Sequence, residues 1–347
     1  MRLNAARRWF IPAANLYTLA LLAYLALRLA VGDRWWWLAL LHNFAPVYFA
    51  PLLVLLPLAL LLRERASAAR LTLLLAVGAL WFGPLWLPDS AGAASAAPAA
   101  HRLDIVSFNI LYNNPRLDDA AAWLREADAD IVVLQEVVPS SAAYLLAALG
   151  DSYPYDDRAL RGTTQLTLSR LPISAAEEIN LGQWWVRRLE LDDSGQRIAL
   201  YNVHLPMPVR AARRLPSLVL PAAVARSAAL DLALRYDETE RNDRLRALLA
   251  ALAQEALPFI AAGDFNTSDN AVIYGTVRAA LGDSFREAGW GLGATWPAER
   301  GDDNLPALPP LLRIDYVWHS GHFRAVSAQT GPLLGSDHLP LRITLAR

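Results

Sequence analysis

The chain contains no cysteine. Disulfides and thiolate metal sites are therefore excluded, and the redox compartment leaves no mark. Lysine is missing as well: every one of the 32 basic residues is arginine. That rules out a Schiff base and a phosphate-loop lysine. Together with the abundant alanine, it looks like coding bias. Neither sign of charge is in excess, the formal net charge being −1, so no global basic field advertises nucleic acid. There is no run of basic residues interleaved with aromatics, and no internal repeat.

Apolar residues are what the chain has in quantity. They make up 55% of it, and the excess sits in the first 88 residues. Residues 10–31 form an apolar run with one late charge, Arg28, long enough for a ~30 Å hydrocarbon core. Gly32-Asp33-Arg34 breaks it, and Trp35-Trp36-Trp37 follows where interfacial aromatics would sit. A second run, 44–62, carries Pro46, Pro51 and Pro57, which membrane helices tolerate. A third covers 71–87. A cleaved signal peptide and buried core helices are the competing readings; the number and length of the runs weigh against both. The expectation is a membrane anchor over 1–88 with three transmembrane helices, making a multi-pass protein of the cell membrane. Arg2, Arg7 and Arg8 precede the first span, and Arg63, Arg65 and Arg70 separate the second from the third. By the positive-inside rule the N-terminus is cytoplasmic and the rest emerges on the extracytoplasmic side.

Residues 89–102 are small and polar and read as a linker. From 103 to 347 the composition is that of a water-soluble α/β domain, about 245 residues, enough for a substantial core. Strands are expected at 103–110, 131–134, 165–169, 198–203, 259–262, 314–318 and 341–345. Helical spacing marks 117–128, 141–149 and 241–255. The interval 205–240 is irregular, with an arginine patch (Arg210, Arg213, Arg214) before an apolar run at 215–224. A connection this long reads as a lid or a core-packing insertion, or as a segment that touches anionic lipid.

Several strand-like runs end in polar groups. In Phe259-Ile260-Ala261-Ala262-Gly263-Asp264-Phe265-Asn266, a buried strand would project Asp264 and Asn266 from its end on one side. Asp264 could orient or deprotonate an attacking water, and Asn266 could donate to charge developing on a phosphoryl group. Asp-x-Asn also occurs in turns, and the further ligands of a calcium loop are missing. Asn109 closes the first strand, placed to bond a phosphate oxygen or a metal-bound carboxylate, or merely to cap the strand. Glu136 follows four apolar residues and Gln135. A carboxylate there is costly unless paired or bound to a cation, and Mg²⁺ needs only one or two carboxylates; an exposed helix-starting Glu is the plain alternative. His204 ends Leu200-Tyr201-Asn202-Val203-His204, where it could donate to a non-bridging phosphoryl oxygen or be a satisfied structural histidine. Asp315, in Arg313-Ile314-Asp315-Tyr316, could hold the imidazole of His338 in one tautomer. Asp337 beside His338, in Ser336-Asp337-His338, makes a natural metal-plus-acid/base pair, unless both motifs are ordinary turns.

Taken in order, these motifs resemble the endonuclease/exonuclease/phosphatase superfamily, with its deoxyribonuclease I-like fold, in a membrane-anchored bacterial form. Phe108-Asn109, Leu134-Gln135-Glu136, Leu168-Ser169-Arg170-Leu171-Pro172-Ile173, Asn202-Val203-His204, Gly263-Asp264-Phe265-Asn266, Ile314-Asp315-Tyr316 and Ser336-Asp337-His338 carry the resemblance, which spans nearly all of the soluble part. It implies an α+β fold, a four-layer α/β-sandwich of two packed mixed β-sheets flanked by helices, here preceded by an all-α transmembrane region. It implies Mg²⁺, or Mn²⁺, held by Glu136 with Asn109 beside it and Asp337 near. Asp264 would position the nucleophilic water, Asn266 and His204 would contact phosphoryl oxygens, and His338 with Asp315 would stabilise the transition state or exchange its proton. The reaction would be metal-assisted in-line hydrolysis of a phosphate ester. Abasic-site endonucleases of the group carry Asp and Tyr where this chain has Leu111 and His204, so it looks more like the phosphodiesterase, sphingomyelinase and phosphatase branches. The expected partners are a phosphate-ester substrate, with a lipid headgroup among the candidates, and the bilayer itself. The alternative is an extracellular endo- or exonuclease, and a non-catalytic binding module is the third reading, against which the intact motifs weigh.

Overall fold

The computed structural model describes residues 2–89, 101–160, 164–182, 184–209, 234–298 and 309–347. They divide into two compact units. One is built on the N-terminal helices up to Trp86, joined by short segments ending at Tyr236 and at Val272; the other holds the remainder. The arginine patch and apolar run of the long insertion lie outside the described residues, as does nearly all of the expected linker.

The first unit contains α1 (Arg2–Val31), α2 (Trp36–Asn43), α3 (Ala45–Phe49), α4 (Leu52–Leu61) and α5 (Arg65–Phe82). Two stretches, Ala5–Arg34 and Arg65–Leu85, are each long and apolar enough to cross a membrane. Between them the chain is helical again from Trp36, with Trp36 and Trp37 in the first turn of α2. This helical stretch is bent by 71° between Asn43 and Ala45. Pro46 opens α3 and Pro51 precedes α4. Each lacks the N–H that a continuous helix would need there, and its ring crowds the preceding turn. A core of Leu21, Phe49, Leu52, Leu71 and Phe82 holds the unit together. On the outside, Leu19, Leu29, Leu53, Leu61, Leu73 and Leu80 are all more than three-fifths exposed. An outward surface this apolar is disfavoured in water and favoured in lipid, so the helices associate with a membrane.

The second unit is two six-stranded mixed sheets. The first comprises β1 (Arg102–Asn109), β2 (Ile131–Gln135), β3 (Tyr155–Asp156), β4 (Gln165–Ser169), β11 (Arg324–Thr330) and β12 (Leu341–Ala346), in the order β11-β12-β1-β2-β4-β3. The second comprises β5 (Ile173–Asn180), β6 (Trp185–Asp193), β7 (Gln196–His204), β8 (Phe259–Asp264), β9 (Gly282–Asp283) and β10 (Asp315–His319), in the order β5-β6-β7-β8-β10-β9. Alternate residues of the two sheets meet in one apolar layer: Leu103 and Ile105, Ile131 and Val133, Leu189 and Leu191, Ile198 and Leu200, Ile260 and Ala262. The other face of the first sheet, with Val106, Phe108, Val132 and Leu134, is covered by α6 (Leu117–Ala127) and α7 (Pro139–Leu149). On the second sheet, Tyr274 of α8 (Val272–Ala280) meets Tyr316 and Trp318 of β10. The four-layer sandwich is thus present. β1, β2, β4 and β8 are largely buried on both faces, and in β2 and β8 this shows as unbroken apolar runs, 131–134 and 259–262.

Register brings the strand ends together. β1 and β2 run parallel with Asn109 opposite Gln135, and β7 and β8 run parallel with His204 opposite Asp264. β10 is antiparallel to β8, so its first residue, Asp315, pairs with Asp264. β12 is antiparallel to β1, so the loop that enters it carries Ser336, Asp337 and His338 back to the same edge.

Candidate active site

Asp264 is the centre of this edge. Its Oδ2 lies 3.1 Å from Asn109 Nδ2, 3.8 Å from His204 Nε2 and 3.7 Å from His338 Nε2. Asn109 also donates to Glu136 Oε1 at 3.1 Å, and His204 Nε2 is 3.9 Å from the same oxygen. His338 Nδ1 is 2.9 Å from Asp315 Oδ2. Asp337 acts electrostatically on both Glu136 and His338, and the Trp296 indole donates to it at 3.3 Å. All eight residues singled out from the sequence therefore gather at one edge of the sandwich.

Two of them sit differently from the roles the resemblance implies. The backbone N–H of Leu111 donates to Asn109 Oδ1 at 3.1 Å. That turns the amide nitrogen, a donor, toward Glu136 and Asp264. Here Asn109 bridges two carboxylates and does not present its oxygen as a ligand. Asn266 Nδ2 is engaged by the carbonyl of Leu205 at 2.8 Å and by Asp264 at 3.2 Å, while its backbone N–H bonds Asp264 Oδ1 at 2.8 Å. It holds the carboxylate in place.

The backbone is shaped around these contacts. Leu111, Glu136 and Asn266 all have positive φ, at 65°, 58° and 47°, an uncommon conformation for such residues. It lets the chain turn as it leaves each strand, so that Glu136 faces the site instead of starting α7. Gly263 has φ 146°, and a Cβ there would stand 1.8 Å from the carbonyl oxygen of Val203. Only glycine lets β8 lie this close to β7.

The electrostatics are those of crowded carboxylates. Burial pushes Glu136 up; Asp337 adds to this, while Asn109 and His338 oppose it. Burial also raises Asp264, reinforced by Asp315 and opposed by His338 and the N–H donors. His204 is driven down to about 4 by burial and by the nearby His338, so it is neutral near pH 7. For His338, burial works downward, but Asp315 and Asp264 overcome it and hold the ring protonated, up to about 10. Four carboxylates thus face one protonated histidine. An all-oxygen donor set with excess negative charge suits a hard divalent cation. Asp264, Asp315 and His338 also form a buried group whose ligand atoms lie within 4.8 Å of one another, and Asp315 Oδ1 is buried without a hydrogen-bond partner. The His338 Nδ1–Asp315 contact already occupies one atom of each, which favours reading them as a hydrogen-bonded pair.

Several supporting residues have roles that the sequence did not assign. Asn202 of β7 lies between the sheets, donating to the Leu134 carbonyl at 3.2 Å and accepting from Gln135 at 3.0 Å, while Gln165 donates to its carbonyl at 2.7 Å. This ties β2 and β4 to β7 directly behind Glu136 and His204. Ser336 Oγ donates to the Asn109 carbonyl at 2.7 Å and accepts from the His338 N–H at 3.1 Å. Arg241, fully buried, donates to the Asn266 carbonyl at 2.7 Å. Polar residues between apolar ones show such roles only once the strands are paired.

A sandwich of two mixed sheets, with its acids and histidines gathered where parallel strands end, defines a class of fold before it defines a protein. Solved structures share it. An endonuclease/exonuclease/phosphatase from Bacteroides vulgatus superposes with a TM-score of 0.53 at 18% identity, covering 71% of this chain and 98% of its own. Truncated TDP2 from Caenorhabditis elegans gives 0.52 at 17%, with the same coverage. Humanized TDP2 from D. rerio gives 0.51 at 18%, covering 70% and 98%. Identities this low show likeness of fold. A comparison with curated proteins finds no match. The model of the Endonuclease/Exonuclease/phosphatase family matches residues 106–338, and the chain belongs to that family. Members of the family generally hydrolyse phosphoester bonds, typically with a divalent metal ion.

Proposed function

We propose that the protein is a membrane-tethered phosphoesterase that hydrolyses a phosphodiester or phosphomonoester, using Mg²⁺, with Mn²⁺ able to replace it. The convergence of Asn109, His204 and His338 on Asp264 carries the reading. Glu136 and Asp337 would hold the ion, with Asn109 fixing the Glu136 carboxylate. A bound divalent ion would supply electrophilic stabilisation of a phosphoryl oxygen. Asp264 orients the attacking water and accepts its proton; a base raised by burial is better matched to neutral pH than an ordinary carboxylate. His204, neutral and one-fifth exposed, donates an N–H to a non-bridging oxygen. His338, kept protonated by Asp315, is the proton donor on the far side of Asp264. Asn266 serves by holding Asp264.

The test is hydrolysis of a substrate panel by the full chain: a chromogenic diester and monoester, sphingomyelin, phosphoinositides, nucleotides and DNA. Metal-dependent release from at least one ester, abolished by chelator, by His338→Ala and by Glu136→Gln, is the expected result. Turnover unaffected by His338→Ala would remove the assignment. Plasmid nicking as the main activity, lost in Glu136→Gln, would make the protein a nuclease.

For the membrane part we propose three crossings, with the N-terminus cytoplasmic and the catalytic domain on the extracytoplasmic side. Arginines in the first turns of α1 (Arg2, Arg7, Arg8) and around the α4–α5 junction (Arg63, Arg65, Arg70) support this orientation. The bent stretch decides the parity. If it crosses, the domain lies opposite the N-terminus; if it re-enters, both lie on one side.

A further inference from the structure

The cleft beside the site is larger than a phosphate group requires, with a volume of about 1030 Å³. Glu136 and His204 stand in its wall, and Glu136 is the only carboxylate among the described residues that line it. Away from these two the lining changes character, to Val138, Pro139, Leu160, Trp184, Trp185 and Met207. Trp185 is 47% exposed, Met207 53% and Tyr112, on the same cleft, 45%. Core packing does not explain large apolar side chains left in water around a catalytic cleft. Among the described residues three arginines also line it, and each of them faces a carboxylate. Arg158 bonds Asp156 at 2.6 and 2.7 Å, Arg187 stands 3.1 Å from Asp157, and Arg244 pairs with Glu240. A polyanion would need uncompensated cations along its track. The described lining offers apolar surface and compensated charge.

We propose that the cleft is a subsite for an apolar substituent of the phosphate ester, alkyl or aryl, and that Trp185 and Met207 determine the preference for it. The proposal rests on the phosphoesterase reading for the place of the phosphate, at Glu136 and His204. Trp185 opens β6 and Met207 lies three residues past the end of β7. Both are therefore fixed by strands that also position the site. Both are about half in solvent, so replacing them is expected to leave the fold intact.

Calorimetric titration of the full chain in nanodiscs with methyl-, butyl- and phenylphosphonate, which cannot be hydrolysed as esters, reads the subsite without turnover. Butyl- or phenylphosphonate is expected to bind about tenfold tighter than methylphosphonate, as burial of a few carbon atoms implies. The larger of the two gains tells whether the group is alkyl or aryl. Trp185→Ala or Met207→Ser should shrink the difference to about twofold while leaving methylphosphonate unchanged, on the same scale. Equal affinities for all three in the wild type, no binding of any, or an equal loss for all three in both variants would overturn the proposal. A single-stranded oligonucleotide that binds tighter than every phosphonate and depends on Trp185 would overturn it in favour of nucleic acid. If the phosphonates are discriminated but no phosphate ester is hydrolysed, the phosphoesterase reading fails and the subsite stands.

Discussion

Asp315 shows how much of the proposed chemistry depends on one residue acting through another. It meets His338 at 2.9 Å and is wholly buried. Thr295 Oγ1, which accepts from the Ile314 and Asp315 N–H groups at 3.3 and 3.4 Å, pins its backbone. Its carboxylate fixes which ring nitrogen faces Asp264 and keeps that ring charged. Asp315→Asn should lower kcat by roughly 10- to 100-fold, the usual range for a residue that orients another. KM should change little, and a thermal melt should show the domain still folded. Wild-type turnover in this variant would take Asp315 out of the mechanism. Asp315 and His338 could be picked out as a pair from sequence because each lies beside a strand-like run. The bridging of Glu136 and Asp264 by Asn109 could not, since the orientation of an amide depends on a hydrogen bond from Leu111, a neighbour without side-chain polarity.

At the level of the elements, the parallel pair β7–β8 sets the tolerance of the site. Gly263→Ala would force a Cβ into the Val203 carbonyl. Moving β8 away would also move Asp264 away from His204. We expect a loss of about 3 kcal/mol or more in urea unfolding, the scale of severe overpacking; a midpoint equal to wild type would show that β8 can shift freely. On the far side of the same sheet, Arg188 of β6 bonds Glu255 at 2.7 and 3.2 Å, and Tyr201 of β7 donates to it at 2.7 Å. Burial alone would raise Glu255, but these bonds prevail and hold its carboxyl near 2. A carboxyl lowered on folding adds stability above its unfolded pKa and loses it as the pH falls toward the folded value. The contribution of Glu255 is therefore complete near neutrality and fades between about pH 4.5 and pH 2. Arg188→Met should flatten the acid limb of a stability-versus-pH curve in that window; an unchanged limb would show that the pair contributes nothing. β5 and β6 themselves gave no strand signal. β5 is mostly exposed on both faces, and β6 breaks its apolar residues with an arginine pair and with acids at Glu190, Asp192 and Asp193, so neither has the apolar run that marks a buried strand. β11 escaped for a similar reason: polar residues interrupt it and only Ala325 is buried.

For the whole molecule, the open question of topology has a direct readout. With three crossings, protease added to intact cells should cut the catalytic domain; full protection with the bent stretch re-entrant would place it on the cytoplasmic side. The 71° bend arises from prolines that were visible in the sequence, but its sharpness was not, because it depends on how α3 and α4 pack against α5. The chain alone determined the apolar helices, the alternation of the domain, and the set of acids, amides and histidines. These follow from residue type and periodicity, which are local properties. Tertiary structure decided which of those groups face one another. It set the register that puts Asp264 against both His204 and Asp315. It inserted Asn202 and Gln135 between the sheets, and it left the cleft beside Glu136 lined with tryptophan. Such contacts join residues up to a hundred or more positions apart, as Asn109 and Asp264 are, and no local pattern encodes a distance of that kind.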